Sequence, residues 1–141
     1  MIHNKYTDMK VKAIIETGKD HDYDIYTNDD TLGFMLLGQG KTIAEAKKDF
    51  LRCKDEMAKL YTENDDSFDF DKLEFEYVFD TISFLKYSPF TLTWLSIATG
   101  INKKQLSHYT TGTRHPGHKT LLKIQKAVNS FVHDHNAVVF N

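Results

Sequence analysis

Hydrophobic and polar positions alternate along the first part of this chain and switch to a helical period further on. Residues 9–17, MKVKAIIET, place Val11, Ala13 and Ile15 on one side of an extended strand. A polar, turn-rich GKDHD follows. A second strand is expected over 23–27 and a third over 32–37, whose nearly unbroken apolar run predicts deeper burial. The short turns between the three imply an antiparallel meander. Gly38-Gln39-Gly40 breaks the alternation, and from there Ile43, Ala46, Phe50, Cys53, Met57 and Leu60 recur at steps of three and four residues. That spacing makes one face of a helix of about five turns apolar and lays it across the sheet. Thr42 and Glu45 form its capping box, each side chain accepting the other's free backbone N–H. Lys47, Lys48, Asp49, Arg52, Lys54 and Asp55 face water. An acidic loop over 63–71 leads to a fourth strand over 73–79, with Leu73, Phe75, Tyr77 and Phe79 on one side and Glu74, Glu76 and Val78 on the other. Residues 1–8 carry no such period and read as a lead-in.

Beyond residue 80 the period is helical throughout. Asp80 or Thr81 caps a short helix through Ile82 and Leu85, ended by Pro89. The stretch 91–112, TLTWLSIATGINKKQLSHYTTG, then reads as two short helices joined by a tight turn. Leu95 and the small Ser96 lie on the inner side of the first. Gly100 supplies the left-handed turn, Ile101 fills the angle and Asn102 caps the second helix, which points Leu106 and Tyr109 back at the first. A small residue at the crossing, Gly in the turn and apolar inner positions are what a helix-turn-helix requires. The outer face of the second helix is Lys103, Lys104, Gln105, Ser107 and His108, all donors or cations suited to phosphates and base edges. Thr91, Thr93, Thr111 and Thr113 extend the expected DNA-binding set, and Arg114 and Lys119 are assigned to phosphate. A long helix over 118–133 packs Leu121, Ile124, Val128 and Phe131. The apolar tail Ala137-Val138-Val139-Phe140 either covers a local patch or pairs with a second subunit.

The charge splits sharply between the two parts. Residues 1–80 carry 11 Lys+Arg and 19 Asp+Glu, a balance of −8, whereas residues 81–141 carry 7 Lys+Arg and only Asp134, a balance of +6. The second part is electrostatically matched to nucleic acid, the first to something basic. With 141 residues, 40% of them hydrophobic, the chain can build one ordinary domain or two small ones. A single cysteine, Cys53, excludes a disulfide framework and fits the apolar helix stripe. No stretch has the length and apolarity of a membrane span or a signal segment, so the expected compartment is the cytoplasm, with no membrane partner.

Leu95-Ser96 through Tyr109, then Gly112 and the run 116–122, resemble the phage-repressor-like (Xre-type) DNA-binding domain, over roughly residues 80–131. Leu92 stands where that family often carries a DNA-contacting Gln. Upstream, Gly40-Lys41-Thr42-Ile43-Ala44-Glu45-Ala46, placed after three strands and ahead of a DNA-binding tail, is similar to the helix start of the HicB family of bacterial antitoxins. Many members of that family carry a Pro-Asp-Leu-Pro-Gly turn where this chain has LGFMLLGQG. The resemblance implies a truncated RNase H-like domain over 1–79 that masks a small basic RNA-cleaving toxin (HicA-like). It further implies a helix-turn-helix domain over 80–141 that binds double-stranded operator DNA and represses the operon. The expected fold is therefore α+β: a three- or four-stranded antiparallel sheet with one covering helix, followed by an all-α domain. A homodimer or higher homo-oligomer is expected, because one short helix contacts too few base pairs for useful specificity. The residues that touch the toxin are not assigned. The rival reading keeps the DNA-binding half and gives the first domain a small-molecule ligand.

No enzyme, cofactor or metal is expected. Asp22, Asp24 and Glu45 do not form the multi-acid strand pattern of a two-metal nuclease and read as a solvated acidic face. His115-x-x-His118 and His133-x-His135 lack accompanying cysteines and lie where His serves as a phosphate contact. Neither a Gly-rich phosphate loop nor a Ser/His/Asp arrangement is recognisable.

Overall fold

The computed structural model describes residues 9–141; the lead-in over 1–8 lies outside the described residues. Backbone contacts divide the chain into two compact units, Met1–Asp80 and Thr81–Asn141. The fold is α+β, with a four-stranded mixed sheet and five α-helices among the described residues.

In the first unit, β1 (Met9–Thr17), β2 (Tyr23–Tyr26) and β3 (Leu37–Gly40) form the antiparallel meander, and β4 (Leu73–Phe79) joins β1 on its other side, giving the order β3-β2-β1-β4. The β1–β4 pairing is parallel, which corrects the all-antiparallel expectation. The reason is the connection. Helix α1 (Ile43–Glu63), 21 residues and therefore about 32 Å long, carries the chain back along the sheet before β4 begins. A strand that follows such a crossover runs parallel to the one before it.

The third strand also departs from expectation. Residues 32–36 are not in the ladder, although Leu32 and Leu36 are buried. The strand is instead Leu37–Gly40, which keeps only Leu37 of the expected strand and adds Gly38-Gln39-Gly40, the residues expected to break the pattern. Its glycines explain the shift. A Cβ on Gly38 would stand 2.3 Å from the Phe50 backbone N and 2.5 Å from the Ala46 carbonyl, and one on Gly40 would stand 2.5 Å from the Ala46 N. The α1 backbone therefore rests directly on β3, an approach that only glycine permits. Ala46 and Phe50, both fully buried, continue that contact into a core with Ala13, Ile15, Ile25 and Leu36. The apolar run 32–36 is satisfied by side-chain burial. Phe34 stacks on Phe70 at 5.1 Å and meets Tyr61 and Phe68 edge-on, so the acidic loop carries two aromatic anchors inward. Tyr61 lies in the last turns of α1, beyond the expected end of the helix, whereas Leu60 of the expected apolar stripe is 51% exposed.

Thr42 caps α1 by accepting from the Glu45 N–H at 3.0 Å, and Glu45 returns a bond to Lys41 N–H rather than to Thr42 itself. A turn later Asp49 accepts from the Gln39 backbone N–H at 2.9 Å and pairs with Arg52 at 2.6 Å, tying the edge strand β3 to the helix. The Arg52 hydrogen bond first, and the Gln39 N–H second, hold the Asp49 carboxyl below its ordinary range. A depressed carboxylate contributes stability above its unfolded pKa of about 4 and loses it as pH falls through the folded value. Asp49→Asn should accordingly lower the urea midpoint slightly at pH 7. The gap from wild type should close on acidification below about pH 4, as measured by denaturation at both pH values.

The second unit holds α2 (Thr81–Tyr87), α3 (Leu92–Thr99), α4 (Lys103–Thr110) and α5 (His118–His135). Leu85, Leu95, Leu106, Tyr109 and Ile124 form its buried centre, with one or two residues from each helix. Phe131 closes one end edge-on to Phe90 and Trp94, both at 5.3 Å. Of the expected packed face of α5, Ile124 is buried, whereas Leu121 is 37% exposed. The tail covers no local patch: Val138, Val139 and Phe140 are all exposed.

Candidate nucleic-acid interface

The α3–α4 turn is built by short-range chemistry. Thr91 caps α3 by accepting from the Trp94 N–H at 3.0 Å, and Asn102 caps α4 by accepting from the Lys104 N–H at 2.8 Å. Gly100 ends α3 in the left-handed region at φ 77°, and its N–H bonds back to the Ser96 carbonyl. Two hydroxyls then lock the corner. Ser96 donates to the Ile101 carbonyl at 2.6 Å, and Thr99 donates to the Leu95 carbonyl while accepting from the Ile101 N–H at 3.1 Å. A corner with its backbone groups satisfied in this way holds one angle between its helices.

With Leu106 and Tyr109 buried, helical spacing turns a defined stripe of α4 outward. Lys104, Ser107, His108 and Thr111 follow at i, i+3, i+4 and i+7, exposed except for the half-buried His108. Lys103 is exposed on one flank. Gln105 is half-buried on the other, and its amide donates to the Tyr109 hydroxyl at 3.0 Å. Gln105 is thus oriented by the core and stands off the outward stripe. Thr111 and Thr113 share a hydroxyl hydrogen bond at 2.7 Å across the left-handed Gly112, and Arg114 N–H bonds to the His108 carbonyl. This folds the loop back onto the end of α4. Thr93, Arg114 and Lys119 are exposed, as is the capping residue Thr91. Leu92 is partly buried against the core.

The charge placement costs the unit stability and favours an anion. None of α3, α4 and α5 carries an acid in its first turn, and α4 opens with Lys103-Lys104. Cations at the positive end of a helix dipole are unfavourable by about 0.3–1 kcal/mol, whereas a phosphate there is attracted by the dipole and the lysines together. One exposed residue lies outside the set expected from the sequence. Ile97 is 80% exposed one turn after Thr93, an apolar side chain of the type that packs on a thymine methyl group. Apolar residues in α3 read as core, and only the packed structure separates Ile97 from Leu95.

The other acid and histidine positions have structural roles or face solvent. Glu45 is occupied in capping, Asp22 is exposed in its turn, and His135 stacks on Phe131 at 3.9 Å. Among the described residues no group of three or more His, Cys, Asp or Glu is arranged to hold a metal, and no helix is long and apolar enough to cross a membrane. Comparison with protein-family models, curated proteins and solved structures finds no match to this chain.

Proposed function

We propose that this chain is a DNA-binding antitoxin: its second unit is a helix-turn-helix that represses an operon, and its first neutralises a small basic RNA-cleaving toxin. The observation that carries the reading is the outward stripe Lys104, Ser107, His108 and Thr111, presented by a rigid Gly100 corner on a unit with seven basic residues and one acid. Such a stripe supplies phosphate-pairing cations and base-edge donors together. The antitoxin half is supported by the acidic balance of residues 1–80 and by the HicB-like Gly40–Ala46 segment following three strands. The chain binds rather than catalyses. It acts as a homodimer or higher homo-oligomer, since paired half-sites about 34 Å apart give one short helix its specificity.

The test is binding to the DNA immediately upstream of the chain's own reading frame. A Lys104/Ser107/His108 triple alanine variant should abolish preference for that DNA over random duplex, each lost base contact being worth about 1–3 kcal/mol. Lys119→Ala should weaken all sequences alike and reduce the salt slope by about one. Undiminished sequence preference in the triple variant, measured by competition at fixed salt, overturns the assignment.

A further inference from the structure

One face of the sheet is covered by α1, and Val11, Ala13, Ile15 and Ile25 point into it, each at most 4% exposed. The alternation of strands therefore turns Ile14, Tyr26, Leu37 and Val78 to the opposite face. The register aligns these four: Leu37 opposite Tyr26, Tyr26 opposite Ile14, and Ile14 opposite Val78. They form one apolar row across all four strands, about 14 Å long at the usual strand spacing, with no residue missing. Leu37 is 45% exposed at its edge and the other three are half-buried.

The two borders of this row differ in charge. On one side the register places Lys12 opposite Glu76 and Lys10 opposite Glu74, which balance. On the other side Glu16 stands opposite Asp24, and Asp24 opposite Gln39, with no cation among them. The Tyr26 hydroxyl donates to Glu16 at 3.2 Å. Burial first, and then the Glu16 and Asp80 carboxylates, push its pKa above the ordinary tyrosine value, as a net negative border would.

We propose that this apolar row with its acidic border is the docking surface for the basic protein partner, which seats one or two apolar side chains on Leu37, Tyr26 and Ile14 and sets Lys or Arg against Glu16 and Asp24. The inference rests on the antitoxin reading and assigns the surface that reading leaves open. A nucleic acid is repelled by the same border. A second copy of the unit brings a net charge of −8 against the same acidic border.

The experiment uses the full chain, co-expressed in turn with each of the two open reading frames flanking its own, with affinity for any basic product measured by calorimetry. Leu37→Asp and Asp24→Lys should each weaken binding about tenfold or more. Leu51→Asp, at a 40% exposed apolar position on α1, should leave it unchanged. Melting temperatures check that each variant folds, and Leu37→Ala reads the same contact if the aspartate lowers stability. Full affinity in both sheet-face variants, or loss in Leu51→Asp, overturns the surface while the antitoxin reading stands. If neither flanking product binds wild-type chain that still binds its upstream DNA, the antitoxin reading fails and the surface with it.

Discussion

Gly38→Ala should unfold the first unit at a cost of about 3 kcal/mol or more, although it adds a single methyl group. That methyl would lie 2.3–2.5 Å from three backbone atoms of α1, the Phe50 N and Cα and the Ala46 carbonyl oxygen. Neither backbone can yield locally. The helix is held by Phe50 and Ala46 in the core, and the strand by its ladder to β2 and by Asp49. Overpacking of this kind exceeds what a side chain can relieve by changing rotamer. Gly117→Ala is the control: nothing lies within 4 Å of the position, and its φ of −75° suits any residue. The control should stay within about 1 kcal/mol of wild type. Hydrogen exchange resolved to peptides checks both: amides of β1 and β4 should lose protection in Gly38→Ala and keep it in Gly117→Ala. Native protection in the Gly38 variant would show that α1 can lift from the sheet without penalty.

Leu106→Ala should cost about 2–5 kcal/mol, the range for emptying a fully buried leucine site. Leu106 is 0% exposed within the cluster of Leu85, Leu95, Tyr109 and Ile124, so a cavity there loosens α4 from the rest of its unit. A unit of this size has little stability in reserve. On the proposed function, loss of order in α4 should remove sequence-specific DNA binding as well. Trp94 is the sole tryptophan and packs between Phe90 and Phe131, so its fluorescence follows this unit during urea unfolding. Lys104→Ala separates the two effects. The residue is exposed at the wrong end of the helix dipole for a cation, so its removal should leave the urea midpoint unchanged or slightly raised while weakening DNA binding. Equal midpoints for Leu106→Ala and wild type would contradict the packing described.

The amino-acid sequence by itself determined what depends on near neighbours. The 2-residue period of β1, and of β4 as far as Tyr77, the apolar stripe of α1 as far as Met57, the caps Thr42 and Asn102, and the left-handed Gly100 are set by residues a few positions apart, and each is found in the structure; Leu60 and Phe79, expected on the same faces, are exposed. The charge division at residue 80 is likewise a property of the chain, whatever its conformation. Only the tertiary structure decided the rest. Gly38-Gln39-Gly40 is locally a strand breaker; it becomes a strand because α1, joined eight residues on at Ala46, needs a surface without side chains. Residues 32–36 are locally a strand, yet their burial is met by Phe68, Phe70 and Tyr61, roughly thirty residues away. The sense of β4 follows from where α1 ends. The apolar row of Leu37, Tyr26, Ile14 and Val78 exists only once three registers are fixed together. On α4 the polar residues look alike in sequence, and burial of Leu106 and Tyr109 decides which face outward, with the Tyr109 hydroxyl holding Gln105 off the stripe. Local periodicity states which face of an element is apolar; which partner covers it is a long-range choice made by packing.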